Sequence, residues 1–263
     1  MNEASLDIMS FMPLWLIFII TVVAIFTALM TGYYQGCRAA DAAGAKESAP
    51  PIGSVVGAMM GLLAFLLALT FNSSSSRFET RKQLLVDDVN AINNTYHRAD
   101  FLFEADRIQT KEVLREYVDL YISMDEDPTR FESLVARSLQ IHSELWAIAS
   151  KYAQNPQVSN TVSGGFATAV DQMRAVHTKR LVYALHYRIH PTIWIALFGV
   201  GLLSLGALGF LFGITGGKRY KVCISLAVCF GTILILIMDL ERPVEGTIRI
   251  DTVPLQVLRA QME

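Results

Sequence analysis

The sequence is short of cysteine and of charge, and its four longest apolar runs hold no ionisable residue. Only three cysteines stand among 263 residues, with no CxxC and no Cys/His spacing of a zinc site. A disulfide-built scaffold and a structural zinc module are thereby excluded. Charged residues make up 17% of the chain, against roughly 25% in soluble domains. The 22 Lys and Arg and 24 Asp and Glu leave a net charge of -2, so the basic footprint of a nucleic-acid binder is missing. Also absent are a P-loop, a dinucleotide fingerprint, a nucleophile elbow and a His/Glu metalloprotease helix. No catalytic constellation emerges, and the chain reads as a non-enzyme that needs no cofactor or metal.

Apolar length is what the chain has in abundance. Hydrophobic residues reach 52% and the mean hydropathy is +0.38. A bilayer core of roughly 30 Å needs about 20 mostly apolar residues in helix, and four runs qualify: residues 11–30, 52–71, 193–212 and 222–238. The first is preceded by two acids and no base and is too long for a signal h-region, so it reads as a retained helix. Trp15, Tyr33, Tyr34 and Trp194 lie near span ends, where amphipathic rings favour the headgroup level. The spans form two hairpins, residues 1–71 and 191–240, separated by a soluble stretch, 72–190, and followed by a tail, 241–263. The predicted fold class is an all-α integral membrane protein.

The soluble stretch holds 14 of the basic residues, 15 of the acidic ones and all five histidines, so it is balanced and well solvated. Phe78, Leu85, Val89, Ile92, Tyr96, Ala99 and Phe103 advance by threes and fours like a coiled-coil seam, interrupted by Lys82. No Pro or Gly falls between Gly61 and Phe103, which predicts that span 2 continues into this seam as one helix of about 50 residues, about 75 Å long. The seam suits packing within its own subunit or against a neighbouring one. A second helix is expected near 110–123, burying Val113, Leu114, Tyr117 and Tyr121. A third starts at a Thr129-x-x-Glu132 capping box and buries Phe131, Leu134, Ile141, Leu145, Ile148 and Tyr152. After a loop at 155–165, a fourth runs from about Phe166 to His190. No strand is expected.

Span 2 carries Gly53, Gly57 and Gly61 at four-residue spacing, then Ala64 and Ala68. Such a stripe lets helices approach closely where lipid gives no hydrophobic drive between them. It either packs against the chain's own helices or continues through Asn72 and Ser73 as the wall of a central pore among several copies of span 2, apolar and narrow with a polar mouth. Spans empty of ionisable groups speak against proton-coupled transport. Asp239, at the end of span 4, is expected to pair with Arg242 one turn away as an interface anchor. His186 and His190 stand four apart, but no third ligand is identifiable; with His177, Arg180 and Arg188 they suit a juxtamembrane cationic or pH-sensitive patch better than a metal site. His97 and His142 read as surface or helix-packing residues. Asp125, Glu126 and Asp127 are contiguous, without the alternation of a calcium loop.

The short connections 32–51 and 213–221 carry Arg38, Lys46, Lys218, Arg219 and Lys221. The positive-inside rule places such loops in the cytoplasm, which puts the soluble stretch and both termini outside it, on an inner membrane. Arg242, Arg249 and Arg259 in the tail, with Arg77, Arg81, Lys82, Lys179, Arg180 and Arg188 at the insert's ends, weigh the other way.

The run Gly57 to Phe71, followed by Arg77-Phe78, Arg81, Asp87 and Asn90-Ala91-Ile92, resembles the bestrophin-like domain family of bacterial membrane proteins. Tyr96, Arg98-Ala99-Asp100, Arg115-Glu116-Tyr117-Val118, Asp239-Leu240-Glu241-Arg242-Pro243, Gly246, Ile248 and Pro254-Leu255 recur in the same order. The chain departs from that pattern in having Glu241 where an aspartate is usual and Asp251-Thr252-Val253 before the last Pro-Leu. The resemblance implies a distant relation to the bestrophins, oligomeric four-span anion channels. The partners it implies are the lipid bilayer, further copies of the chain and small inorganic ions. The leading expectation is an ion channel lined by span 2; the alternative is a non-conducting scaffold or sensor whose helical insert binds a partner.

Overall fold

A computed structural model describes residues 12–43, 52–126, 131–185, 187, 189–216, 220–242 and 246–263. The described residues form α-helices and one 3-10 turn, with no strand among them. In chain order the helices are α1 Leu14–Ala43, α2 Ile52–Arg98, α3 Glu104–Glu126, α4 Phe131–Ala153, α5 Asn160–Leu185, α6 Pro191–Ile214, α7 Tyr220–Glu241 and α8 Val253–Gln261. Four of them, α1, α2, α6 and α7, are long and apolar enough to cross a bilayer. The expected continuation of span 2 is present: α2 is a single 47-residue helix, about 70 Å at 1.5 Å per residue.

The chain divides into two compact bodies. The first comprises α1, α2 up to Arg77, α6 and α7. Its core joins Ile25 and Leu29 of α1, Leu63 and Leu67 of α2, Leu197 and Leu205 of α6, and Ala227, Leu234 and Ile237 of α7. The closest helix crossing is between α1 and α6, and glycine makes it. A Cβ added at Gly209 would overlap the Leu29 carbonyl, one at Gly213 the Tyr33 carbonyl, one at Gly32 the Gly206 carbonyl and one at Gly36 the Phe210 carbonyl. Gly32 and Gly36 on one helix and Gly209 and Gly213 on the other repeat the four-residue spacing that lets two backbones touch in lipid. Gly53, Gly57 and Gly61 on α2 have nothing within 4 Å of such a Cβ. The small-residue packing is therefore on α1 and α6, and the glycines of the α2 stripe have no partner among the described residues.

The second body comprises the rest of α2 with α3, α4, α5 and α8. Leu85, Ile92, Tyr96 and Ala99 of the seam are buried here with Leu114 and Tyr117 of α3, Ile141, Leu145 and Tyr152 of α4, and Phe166, Val170 and Met173 of α5. The seam thus packs within its own subunit as far as Ala99. Phe103, beyond the helix end, is exposed. Thr129 of the capping box lies outside the described residues, and α4 is described from Phe131. Helix α5 begins at Asn160, earlier than Gly164 and Gly165 suggested. The Ser159 hydroxyl accepts from the Val162 N–H at 3.3 Å, the side-chain cap that starts a helix, and Gly165 sits where a Cβ would strike the Arg98 side chain. Helix α8 was not expected at all. Leu255, Leu258 and Met262 enter the same core, the Tyr96 hydroxyl donates to the Met262 carbonyl at 2.9 Å, and Arg115 Nε donates to it at 2.7 Å.

Because overpacking a closed contact costs about 1–3 kcal/mol while an open face tolerates bulk, Gly209→Val and Gly57→Val should differ sharply. Gly209→Val is expected to lower the thermal midpoint and the yield of monodisperse protein in detergent. Gly57→Val should leave the fold of each subunit unchanged by circular dichroism.

Candidate functional site

The face of α2 that carries the predicted pore residues is laid out along the whole helix. At about 100° per residue, Gly53, Gly57, Gly61, Ala64, Ala68 and Asn72 fall on one line, and every one of them is exposed. Ser73 is exposed too, one residue further round. Past Asn72 the line continues through Ser75, Glu79, Gln83, Val86 and Asn90, also exposed, so a smooth apolar half gives way to a polar half. Val55, Leu62, Phe65 and Leu69 form an exposed bulky flank. The buried side of the span is Val56, Leu63, Leu67, Thr70 and Ser74, and the Thr70 hydroxyl is satisfied by the Leu66 carbonyl at 2.7 Å. Only 17% of the most apolar window of α2 is enclosed by the chain, against 39% for α7.

A second polar constellation closes the insert-side end of the membrane body. Glu241, at the end of α7, accepts from Arg77 Nε at 2.9 Å through one carboxylate oxygen and from the Ile189 N–H at 2.8 Å through the other. One side chain thereby joins α2, α7 and the approach to α6. Asp239 caps the turn after α7, accepting the Thr247 N–H at 2.6 Å and the Ile248 N–H at 3.2 Å. Gly246 lies close against it; an added Cβ would sit 2.8 Å from Asp239 Oδ1. Arg242, the expected partner of Asp239, donates to the Met12 carbonyl at 2.8 Å.

The histidines are distributed otherwise than the sequence suggested. His186 lies outside the described residues, and His190 is the cap of α6, its Nδ1 accepting the Thr192 N–H at 3.3 Å. Among the described residues, no three His, Cys, Asp or Glu side chains converge as metal ligands. His177 and His142 are both buried in the second body, in a polar cluster that helical spacing alone does not reveal because its members come from four helices. The Tyr121 and Tyr117 hydroxyls stand 2.6 and 3.1 Å from His177 Nδ1, and Ser138 Oγ 3.4 Å from Nε2. The His142 and His177 ring centroids are 4.7 Å apart. Arg180 lies over the Tyr121 ring at 4.4 Å and pairs with Asp88 of α2, whose side chain is fully buried. Burial, reinforced by Arg174, holds the His142 imidazole down to about 4; burial, then His142 and Arg180, holds His177 down to about 3. Both rings are neutral at physiological pH.

A four-span helical membrane protein with a helical insert, built around one helix that runs through both bodies, is the class these features define. The chain belongs to the bestrophin-like domain family, which matches it over residues 17–255. A crystal structure of a membrane protein with a proline-to-alanine substitution has the same fold, with a TM-score of 0.64 at 17% identity over 95% of both chains. Two substituted forms of a bacterial bestrophin homologue from Klebsiella pneumoniae are also similar. The isoleucine-to-threonine form gives a TM-score of 0.61 at 16% identity, over 94% of this chain and 95% of that one. The leucine-to-threonine form gives 0.60 at 18% identity, over 95% and 96%. No curated protein matches the chain.

Removing the charge of Glu241 leaves Arg77 without its counter-ion in a half-buried site, at a cost of about 1–3 kcal/mol. Glu241→Gln should therefore lower the thermal midpoint in detergent, and Arg77→Gln combined with it should add little, since the two report one interaction.

Proposed function

We propose that the chain forms an ion channel in which several copies arrange α2 around a common axis. The exposed line from Gly53 through Gly57, Gly61, Ala64 and Ala68 to Asn72 faces the ion path, with Ser73 beside its polar mouth. The observation that carries this reading is that the line has no partner among the described residues, although its small residues suit close approach of another surface. The apolar half would form a narrow stretch able to gate by dewetting, and the polar half the wider mouth on the insert side. Family membership makes anions the favoured cargo. Asp239, Glu241 and Arg242 hold the insert-side ends of the spans in place and do not touch the ion. The protein acts as a channel and not as an enzyme, in an inner membrane, with further copies of itself and the bilayer as partners.

Ion flux through purified protein in liposomes, with chloride and potassium gradients compared, tests this. Wild type should pass ions selectively, and Gly61→Leu, which places bulk on the open line while leaving the subunit's own packing untouched, should reduce flux at least about tenfold. Silence from an intact oligomer would point to the scaffold or sensor reading. Four spans place the insert and both termini on one side, and a reporter fused after Glu263 should be active only outside the cytoplasm if the basic short connections govern orientation.

A further inference from the structure

Three of the four helices that pack around His142 and His177 present cations, neutral hydrogen-bonding groups or each other to these rings. From α3 come the Tyr117 and Tyr121 hydroxyls; from α4, Ser138 and His142 itself; from α5, His177, Arg174 and Arg180. The fourth, α2, supplies Asp88, the one carboxylate among these groups, and it is engaged by Arg180. One neutral tautomer of His177 satisfies these contacts together. Tyr121 donates to Nδ1, Nε2–H donates to Ser138 Oγ, and Ser138 in turn donates to the Val135 carbonyl at 2.7 Å. A second ring proton, on Nδ1, would occupy the lone pair to which Tyr121 donates, so that hydroxyl would have to turn and accept instead. His142 is more exposed to this conflict, because both of its ring nitrogens are buried and neither has a hydrogen-bond partner among the described residues. Two imidazolium rings at 4.7 Å would repel one another and the guanidinium beside them, and Asp88, the carboxylate among these groups, is already paired with Arg180.

We propose that His142 and His177 form an acid-operated release in the helical insert: the packed state holds only neutral rings, so proton uptake opens the α3–α4–α5 packing and loosens the grip of Arg180 on Asp88 of α2. The release works through linkage. In an opened form both rings meet water and titrate near 6.5, while in the packed form they resist protonation down to about 4 and about 3. Stability contributed by the neutral rings is thus fully present above about pH 6.5 and drains away as pH falls toward those lower values. Each ring raises the opening equilibrium by up to tenfold per pH unit across that window, and two rings together by up to about a hundredfold. The proposal does not require that the chain conduct ions.

Two measurements on the full-length protein in lipid nanodiscs test it. The first follows amide hydrogen exchange from pH 7.5 to 4.5, corrected for intrinsic rates, in wild type and His142→Phe. Opening of α3–α5 amides should steepen below pH 6 in wild type. In the variant it should be about tenfold less steep per pH unit, while α6 and α7 amides stay protected in both. Identical pH dependence in the two proteins, or opening of α6 and α7 together with α3–α5, overturns the proposal. The second needs no substitution: exchange at the imidazole Cε1 position of wild type reports each ring's titration. No midpoint above pH 5 for His142 or His177 while the insert is closed is expected, and a midpoint near 6.5 for either ring in the closed protein overturns the release.

Discussion

In a bilayer the lipid is as apolar as the helices, so helices stay together only where their surfaces fit closely enough for dispersion and backbone contact to hold them. In the membrane body that fit is the crossing of α1 and α6, where Gly32, Gly36, Gly209 and Gly213 leave no room for a Cβ. The remaining arrangement follows from it. With α1 pinned to the second hairpin, α6 and α7 supply the wall against which Leu63 and Leu67 of α2 pack, and the rest of α2 is left uncovered. A membrane helix satisfies its own backbone, so an uncovered face carries no penalty in lipid. It remains available for a function that a fully enclosed helix lacks.

The same helix is asymmetric along its length as well as around it. Its exposed line is smooth and apolar through the span and polar beyond Asn72, while its buried side changes from Leu63 and Leu67 in the first body to Asp88, Ile92 and Tyr96 in the second. No Pro or Gly after Gly61 interrupts α2. The Asp88–Arg180 pair adds little net stability, since desolvating two charges offsets most of their attraction. Its cost when broken is large, which makes it a specific latch between α5 and α2.

Much of this was legible in the sequence, for physical reasons that also explain the gaps. The spans show because twenty apolar residues without a charge have few other fates, and the continuity of α2 shows because no residue in it breaks a helix. The start of α5 was misplaced because Gly164-Gly165 reads as a turn, whereas the Ser159 cap and the Arg98 side chain lying over Gly165 favour helix. Helix α8 was missed because nine residues give a weak periodic signal, although Leu255, Leu258 and Met262 sit at three- and four-residue spacing and all three are buried. The close glycine crossing of α1 and α6 carries no stronger sequence signal than the longer stripe on α2; spacing says that a face is flat, and only the fold says what lies against it. The histidine cluster was out of reach, since residues 88, 117, 121, 138, 142, 177 and 180 meet only once four helices have packed.

The two bodies place their polar groups differently, although both leave buried atoms without a hydrogen bond among the described residues, Ser74 Oγ and Arg77 Nη2 in the first. In the spans, ionisable groups are kept to the ends, and those at the insert side, Arg77, Asp239, Glu241 and Arg242, are held by backbone amides, carbonyls or one another. In the insert, charge and hydrogen-bonding groups are drawn into the core and left partly unsatisfied at Asp88 Oδ1, Thr110 Oγ1 and both nitrogens of His142. A buried network that is only partly satisfied is a poor source of stability and a sensitive one, because each added proton acts at low dielectric. In the membrane body the glycine contacts and apolar packing do not respond to pH. The buried histidines lie in the insert, and α2 carries both Gly61 and Asp88.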